Sequence, residues 1–279
     1  MKNYFRTLLV AALVVVVGCT EQKREPSNTI FVSIAPLKPI VEGIVGDDFT
    51  VSVLVPQGAA PETFEPTPKQ LRELENAKFI FSVGLLDFEK NLVQRVAKSG
   101  QIVELYKGVE LLQGTCSHGH IHGVDPHIWC SPQSLGTMAE NAYKAISADM
   151  PDSLHYTENY NKLCVKVLEL EEEVAEICNT GKQGAFIIYH PALTYLARDY
   201  DLKQIAIEEH GKEPSVRRIG EIIEFARKEG IKRILYQSEL PASSVEAICK
   251  DTGAQAVEIN PLAEDILTNI RTITTLIVE

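Results

Sequence analysis

The chain has 279 residues, of which 45% are hydrophobic, and its formal net charge at pH 7 is -11. This length allows one large or two medium domains with packed cores. The acidic balance, together with the lack of a basic segment, disfavours nucleic-acid binding. A cationic ligand suits an acidic protein.

The N-terminal segment predicts an export signal. Lys2 and Arg6 precede an apolar run over residues 8–17, as in secretory signal peptides. That run is about half the length of the roughly 20 residues needed to span a bilayer. We therefore expect it to be cleaved and not retained as a membrane span.

The residues at the end of the apolar run resemble a lipoprotein cleavage site. They read Val16-Val17-Gly18-Cys19, which implies a lipoprotein signal peptide over residues 1–18 and lipid attachment to Cys19. Residues 19–28 are polar and predict a flexible tether. The protein is accordingly expected in the cell envelope, periplasmic or otherwise extracytoplasmic, and anchored to a membrane by lipid. An ordinary secretory signal followed by a coincidental cysteine is the alternative.

Residues 29–152 are predicted to form an N-terminal α/β lobe. Short β-branched runs alternate there with helical stretches, a pattern that indicates a parallel sheet. Thr67 is placed to cap a helix that begins at Pro68. The predicted strands are 30–34, 50–55, 79–83 and 102–105, and the predicted helices are 39–45 and 68–76.

Residues 153–181 are predicted to form one long helix that links two lobes. Apolar residues recur there at steps of three and four, which places them on one face of the helix. The alternation of strands and helices restarts in residues 182–279, the predicted C-terminal lobe. The apolar positions of the linking helix are Tyr156, Tyr160, Leu163, Val167, Leu170, Val174 and Ile177. The strands predicted in the C-terminal lobe are 186–189, 204–207, 233–236 and 256–259, and its helices include 216–229 and 243–252.

The predicted fold class is therefore α/β, with two Rossmann-like lobes that carry parallel sheets and are joined by one long rigid helix. Open α/β sheets bind ligands at the carboxyl ends of their strands. The cleft between the two lobes is consequently the predicted ligand site.

Three side chains that can bind a metal ion fall near such strand ends. Glu62 lies in a loop after a strand, His127 follows Asp125 and a proline, and His190 directly ends a strand. Taken singly, each has an ordinary explanation: a solvated loop charge, a turn, or a hydrogen-bonded histidine. The two histidines belong to different lobes.

Three segments around these residues resemble the solute-binding proteins that serve zinc and manganese ABC transporters. Segments 211–215 and 260–262 resemble further landmarks of that family, and the likeness covers nearly all of the chain after the signal. The resemblance implies a two-lobed fold with a linking helix, metal capture in the cleft and delivery of the metal to the membrane permease of an ABC transporter. We expect a monomer without enzymatic activity. The three segments read Pro56-Gln57-Gly58-Ala59-Ala60-Pro61-Glu62-Thr63-Phe64-Glu65-Pro66-Thr67-Pro68, Asp125-Pro126-His127-Ile128-Trp129-Cys130-Ser131-Pro132 and His190-Pro191-Ala192-Leu193-Thr194-Tyr195 through Tyr200-Asp201-Leu202.

The first segment departs from the family at one position. Members of the resembled family usually carry a metal-binding histidine where this chain has Glu62, so the predicted ligands are one carboxylate and the imidazoles of His127 and His190. Zinc accepts this mixture of oxygen and nitrogen ligands. Manganese accepts it too, and the carboxylate favours that harder ion. In the alternative arrangement Glu62 points away from the site.

The fourth ligand is expected among acidic residues near the cleft. Glu208 and Glu209 follow a predicted strand, and Glu264 and Asp265 follow the 260–262 segment. In manganese-binding members of the resembled family a C-terminal aspartate serves as a ligand, which draws attention to the second pair. Acidic residues at a helix N-terminus also stabilise the helix dipole, and this is the ordinary explanation for Glu264 and Asp265.

Histidines recur at alternate positions just before the second of the three segments, as His118, His120 and His122. Neutral imidazoles on a glycine-containing loop can bind zinc weakly and exchange it. Zinc-uptake members of the resembled family carry histidine-rich loops in this place, so we interpret the segment as an accessory metal loop that favours zinc. A solvated loop without function is the alternative. Whether Cys116 of this loop pairs with Cys130 is left open.

The predicted function is that of an exported, lipid-anchored solute-binding protein that captures Zn2+ and delivers it to an ABC transporter. A Mn2+-binding protein of the same type is the first alternative, since the glutamate of the first segment suits either ion. A zinc-dependent hydrolase is the second, because two histidines and a carboxylate also describe hydrolytic zinc centres, although no His-Glu-x-x-His signature is present. A surface adhesin is the third, because related surface proteins have that role.

Overall fold

A computed structural model of the chain describes five ranges of residues. The predicted signal peptide with Cys19, and the histidines of the predicted accessory loop, lie outside these ranges. The described ranges are 28–95, 102–113, 123–209, 212–237 and 243–279.

The first half of the chain forms a parallel sheet of four strands. Its order is β2-β1-β3-β4, so that β1 and β3 are central. The residues of β3 are all buried, as expected for a strand that is covered on both faces of a parallel sheet. The strands are β1 (Thr29–Val32), β2 (Thr50–Val53), β3 (Phe79–Ser82) and β4 (Ile102–Glu104).

Four helices accompany this sheet, and the second begins as predicted. Thr67 Oγ1 accepts a hydrogen bond from Gln70 N at 3.2 Å, while Thr67 N donates to Gln70 Oε1 at 2.9 Å. This reciprocal capping box confirms Thr67 as the N-cap. The helices are α1 (Lys38–Val45), α2 (Pro68–Leu74), α3 (Asp87–Arg95) and α4 (Pro132–Asp149).

The predicted linking helix is present as α5 (Leu154–Thr180), 27 residues long. Its buried face carries Leu163, Val167 and Leu170 and packs against α1, α4 and a C-terminal helix. α5 is therefore the centre of a helical layer and not an isolated connection. Within the described part of the chain, no helix is both long and apolar enough to cross a membrane.

The second half of the chain repeats the parallel sheet, with strand order β6-β5-β7-β8. All eight strands occur where the sequence predicts them, with ends shifted by at most two residues, and α7 and α8 have the predicted bounds. The strands are β5 (Ala185–Ile188), β6 (Lys203–Ala206), β7 (Arg233–Gln237) and β8 (Gln255–Ile259). The helices are α6 (Thr194–Asp199), α7 (Val216–Glu229), α8 (Ser243–Thr252) and α9 (Ile266–Val278).

One apolar core extends from the first sheet through the helical layer to the second sheet. It includes Ile80 of β3, Leu170 of α5, Ile270 of α9 and Ile188 of β5. A smaller cluster lies on the other face of the second sheet, under α7 and α8. The two-lobed α/β fold is thus as predicted, and its lobes share a packed interior.

A substitution at the end of α5 can test how tightly this interior is packed. Gly181 follows α5 with an extended backbone that alanine can adopt, but a Cβ there would lie 2.3 Å from Val278 Cβ. We expect Gly181→Ala to lower the free energy of unfolding by about 1–3 kcal/mol, the usual cost of overpacking, as measured by urea denaturation. Gly184→Ala is the matched control, because a Cβ at that position meets no atom within 4 Å. Equal stability of the two variants would contradict this prediction.

Candidate metal centre

Glu62 enters the site on a short turn at the end of a loop. The turn, Pro61–Thr63, follows β2, and its backbone is closed by a bond from Phe64 N to Pro61 O at 3.4 Å. The ring of Phe64 packs edge to face on Phe88 of α3, with centroids 5.3 Å apart. This aromatic contact holds the turn against α3.

His127 is oriented by Asp125, two residues before it. Asp125 Oδ1 accepts hydrogen bonds from the backbone N of His127 at 2.9 Å and from its ring Nδ1 at 2.7 Å. With Nδ1 bonded to a carboxylate, Nε2 is the ring nitrogen through which the neutral histidine can coordinate a metal. Trp129 packs beside the imidazole, with ring centroids 5.2 Å apart.

His190 follows β5 and is fixed by the neighbouring strand. Gln237, the last residue of β7, accepts from His190 N at 3.4 Å and donates from its side-chain nitrogen to His190 O at 3.1 Å. The ring Nδ1 lies 3.1 Å from Glu208 Oε1. Both histidines therefore have a carboxylate next to Nδ1.

The two lobes bring these side chains together. His127 Nε2 lies 3.2 Å from His190 Nε2 and 4.0 Å from Glu62 Oε1. The ligand atoms of Glu62, His127 and His190 all lie within 4.8 Å of one another. They line a cavity of about 230 Å³ whose walls include Trp129 and Pro261.

These separations fit a transition-metal ion. Two ligands of a tetrahedral zinc ion with bonds of about 2.0–2.1 Å lie roughly 3.3 Å apart, close to the observed 3.2 Å between the two imidazole nitrogens. Glu62 is slightly farther away, but its side chain is 22% exposed and has room to approach. One carboxylate and two imidazoles are a common ligand set for zinc.

Opposing effects act on Asp125 and His127. Burial favours the neutral form of each group, whereas the attraction between their charges and their hydrogen bonds favour the charged forms. The second effect prevails, so the pKa of Asp125 is lowered and the pKa of His127 is raised. The charges of Glu62 and Glu208 contribute to the raised pKa of His127. The cavity therefore attracts cations.

The acidic residues expected to include a fourth ligand differ in their contacts and in whether they line the cavity. Glu264 Oε1 accepts a hydrogen bond from Lys38 Nζ at 2.8 Å. Asp265 caps α9 by accepting from Thr268 N. Glu209 accepts from Ser215 N at 2.8 Å. The buried side chain of Glu208, in contrast, lines the cavity.

Sequence reasoning missed three residues that support the site. Asp125 belongs to the second segment but receives no role in the site from the sequence, although its spacing of two residues from His127 indicates a carboxylate that can orient the imidazole. Gln237 and Trp129 carry no local signal, because their partners are distant in sequence: Trp129 Nε1 donates to Pro261 O at 2.9 Å. Cys130, whose pairing the sequence left open, is a buried free cysteine.

Comparison with known proteins agrees with this geometry. The sequence matches the family described as zinc-uptake complex component A, periplasmic (ZnuA), over residues 30–278. The zinc-binding lipoprotein AdcA of Streptococcus pneumoniae is 30% identical over 275 residues, which cover 92% of this chain and 55% of the relative. This chain thus spans about half the length of that curated relative.

Two solved structures have the same fold with comparable sequence identity. The crystal structure of ZnuA is 31% identical with a TM-score of 0.82, and the match covers 90% of this chain and 98% of that one. A zinc-bound deletion mutant of ZnuA is also 31% identical with a TM-score of 0.82, over 90% of this chain and 97% of that one. The chain therefore belongs to the ZnuA family of zinc-uptake components.

Proposed function

We propose that this chain is a solute-binding protein that captures Zn2+ between its two lobes and delivers it to the permease of an ABC transporter. The convergence of Glu62, His127 and His190 on one cavity is the observation that carries the proposal. The zinc-binding name of the relative and the zinc in a matching structure favour zinc as the cargo.

Capture follows from the chemistry of the three ligands. Two imidazoles and a carboxylate replace water molecules of the incoming ion, and Asp125 keeps the ring of His127 turned toward it. Because the ligands come from both lobes, the ion stabilises one relative arrangement of the lobes, which the permease can recognise. The apolar wall formed by Trp129 and Pro261 limits access of water to the bound ion.

The location of the protein belongs to the same proposal. Cys19 carries a lipid anchor and residues 19–28 form the tether, so that lobes 29–152 and 182–279 work next to the membrane, joined by the helix of residues 153–181. The lipoprotein name of the streptococcal relative supports this arrangement. We propose a monomeric binding protein without catalytic turnover. The segment with His118, His120 and His122 then serves as an accessory zinc loop.

Removal of one imidazole tests the site directly. We expect His127→Ala to weaken zinc binding by more than about 100-fold, since loss even of an outer-shell partner costs roughly 10- to 100-fold. The measurement is competition with a zinc chelator of known affinity. His155→Ala is the control, because His155 is an exposed histidine paired with Asp48. Equal zinc affinity in the two variants would exclude His127 as a ligand.

Zinc binding should depend on pH. Protons compete with zinc for the imidazoles, and the pKa of His127 is raised, so the protonated, non-binding form persists to higher pH than for an ordinary histidine. Affinity is thus greatest above the pKa of His127 and falls as the pH drops through it. Calorimetry between about pH 7.5 and about pH 5.5, which brackets the ordinary histidine pKa, measures this loss. A constant affinity over that range would argue against histidine ligation.

The identity of residue 62 should set the preference between metals. Glu62→His exchanges a hard oxygen ligand for an imidazole, which favours zinc over manganese. We expect the ratio of zinc to manganese affinity to rise by about tenfold, equivalent to roughly 1.4 kcal/mol, in competition titrations. Glu65→His is the control, because Glu65 is exposed three residues away. An unchanged ratio in the Glu62 variant would indicate that this side chain does not contact the ion.

A further inference from the structure

We propose that Glu208 is a positioning residue, which holds the imidazole of His190 with Nε2 directed at the bound ion. The inference rests on the proposed function, because it concerns how one zinc ligand of that site is oriented. Glu208 Oε1 lies 3.1 Å from His190 Nδ1. A carboxylate next to Nδ1 favours the tautomer with the proton on Nδ1. The lone pair of the imidazole is then on Nε2, which is the nitrogen available to a metal.

The second sheet places the two residues side by side. Ile207 N donates to Ile188 O at 2.8 Å, and Glu208 N donates to Tyr189 O at 3.1 Å. These bonds continue the parallel pairing of β6 with β5 to the position before His190. The register of the sheet thus brings Glu208 next to the imidazole, independently of any ion.

The burial of Glu208 supports the same role. Its side chain is 7% exposed, and Oε1 is buried without an aligned hydrogen bond to another described residue. A buried carboxylate oxygen is costly unless a donor satisfies it. A small rotation of the His190 ring would direct its Nδ1–H at this oxygen and provide that donor.

The two halves of the site then have equivalent designs. Asp125 Oδ1 lies 2.7 Å from His127 Nδ1, and Glu208 Oε1 lies 3.1 Å from His190 Nδ1. The two Nε2 atoms face each other at 3.2 Å. Each imidazole therefore has its own carboxylate beside Nδ1, one in each lobe.

The experiment measures zinc affinity by chelator competition in wild-type protein and in the Glu208→Ala, Glu208→Gln and Glu213→Ala variants. We expect Glu208→Ala to bind zinc roughly 10- to 100-fold more weakly, the usual effect of losing an outer-shell partner. Glu208→Gln should recover part of the affinity, because its amide oxygen still accepts a bond from Nδ1. Glu213→Ala, which removes the same charge from an exposed position nearby, should bind like the wild type.

The visible spectrum of the Co2+ complex separates positioning from direct coordination. A positioning role predicts the same spectrum at saturating Co2+ in wild type and in both Glu208 variants, because the atoms bound to the metal do not change. A changed spectrum in both variants would make Glu208 a direct ligand and overturn the inference. Wild-type affinity in Glu208→Ala, or equal losses in the Ala and Gln variants, would also overturn it.

Two further measurements guard against ambiguous results. If Glu208→Ala does not fold, nitrogen NMR of zinc-loaded wild-type protein decides the question: protonated Nδ1 on His190 supports the inference, and protonated Nε2 overturns it. Wild-type protein that binds no zinc would refute the proposed function itself. Zinc binding by the wild type with no effect of Glu208→Ala would refute only the role of Glu208.

Discussion

The apolar core around α5 is the constraint on which the rest of the molecule depends. The same buried cluster includes Ile80 of the first sheet and Ile188 of the second, with the helical layer between them. Because protein interiors are close-packed and resist deformation, this layer sets the distance between the sheets. His127 and His190 belong to opposite halves of the chain, so the separation of their imidazoles depends on that packing.

Local polar contacts, and not the core, orient the two histidines. Asp125 bonds both the backbone and the ring of His127, while Gln237 fixes the backbone of His190. These partners are themselves buried, and a buried carboxylate is tolerated because charged and hydrogen-bonding groups surround it. The outcome is a negatively charged cavity with apolar walls, a setting that suits a small divalent cation.

Periodicity was enough to predict much of the fold, including the linking helix α5, but not the C-terminal helix α9. The stripe of α5 and the amphipathic α7 follow the helical repeat, whereas α9 is rich in isoleucine and threonine, residues typical of strands; packing against α5 overrides that preference. The segments with Glu62, His127 and His190, which the structure brings together, could be found in the sequence because each is a short local motif. The ion pair between Lys38 and Glu264 joins residues 226 positions apart, so sequence alone could not show this contact.

Two buried hydrogen bonds between the lobes bear on how an ion would leave. Tyr195 Oη donates to Asp125 O at 2.7 Å, and Trp129 Nε1 donates to Pro261 O at 2.9 Å. Both join protein groups only, so they contribute to holding the two halves of the chain together whether or not an ion is bound. Under the proposed delivery to a permease, the two halves of the chain can move apart only if these bonds break.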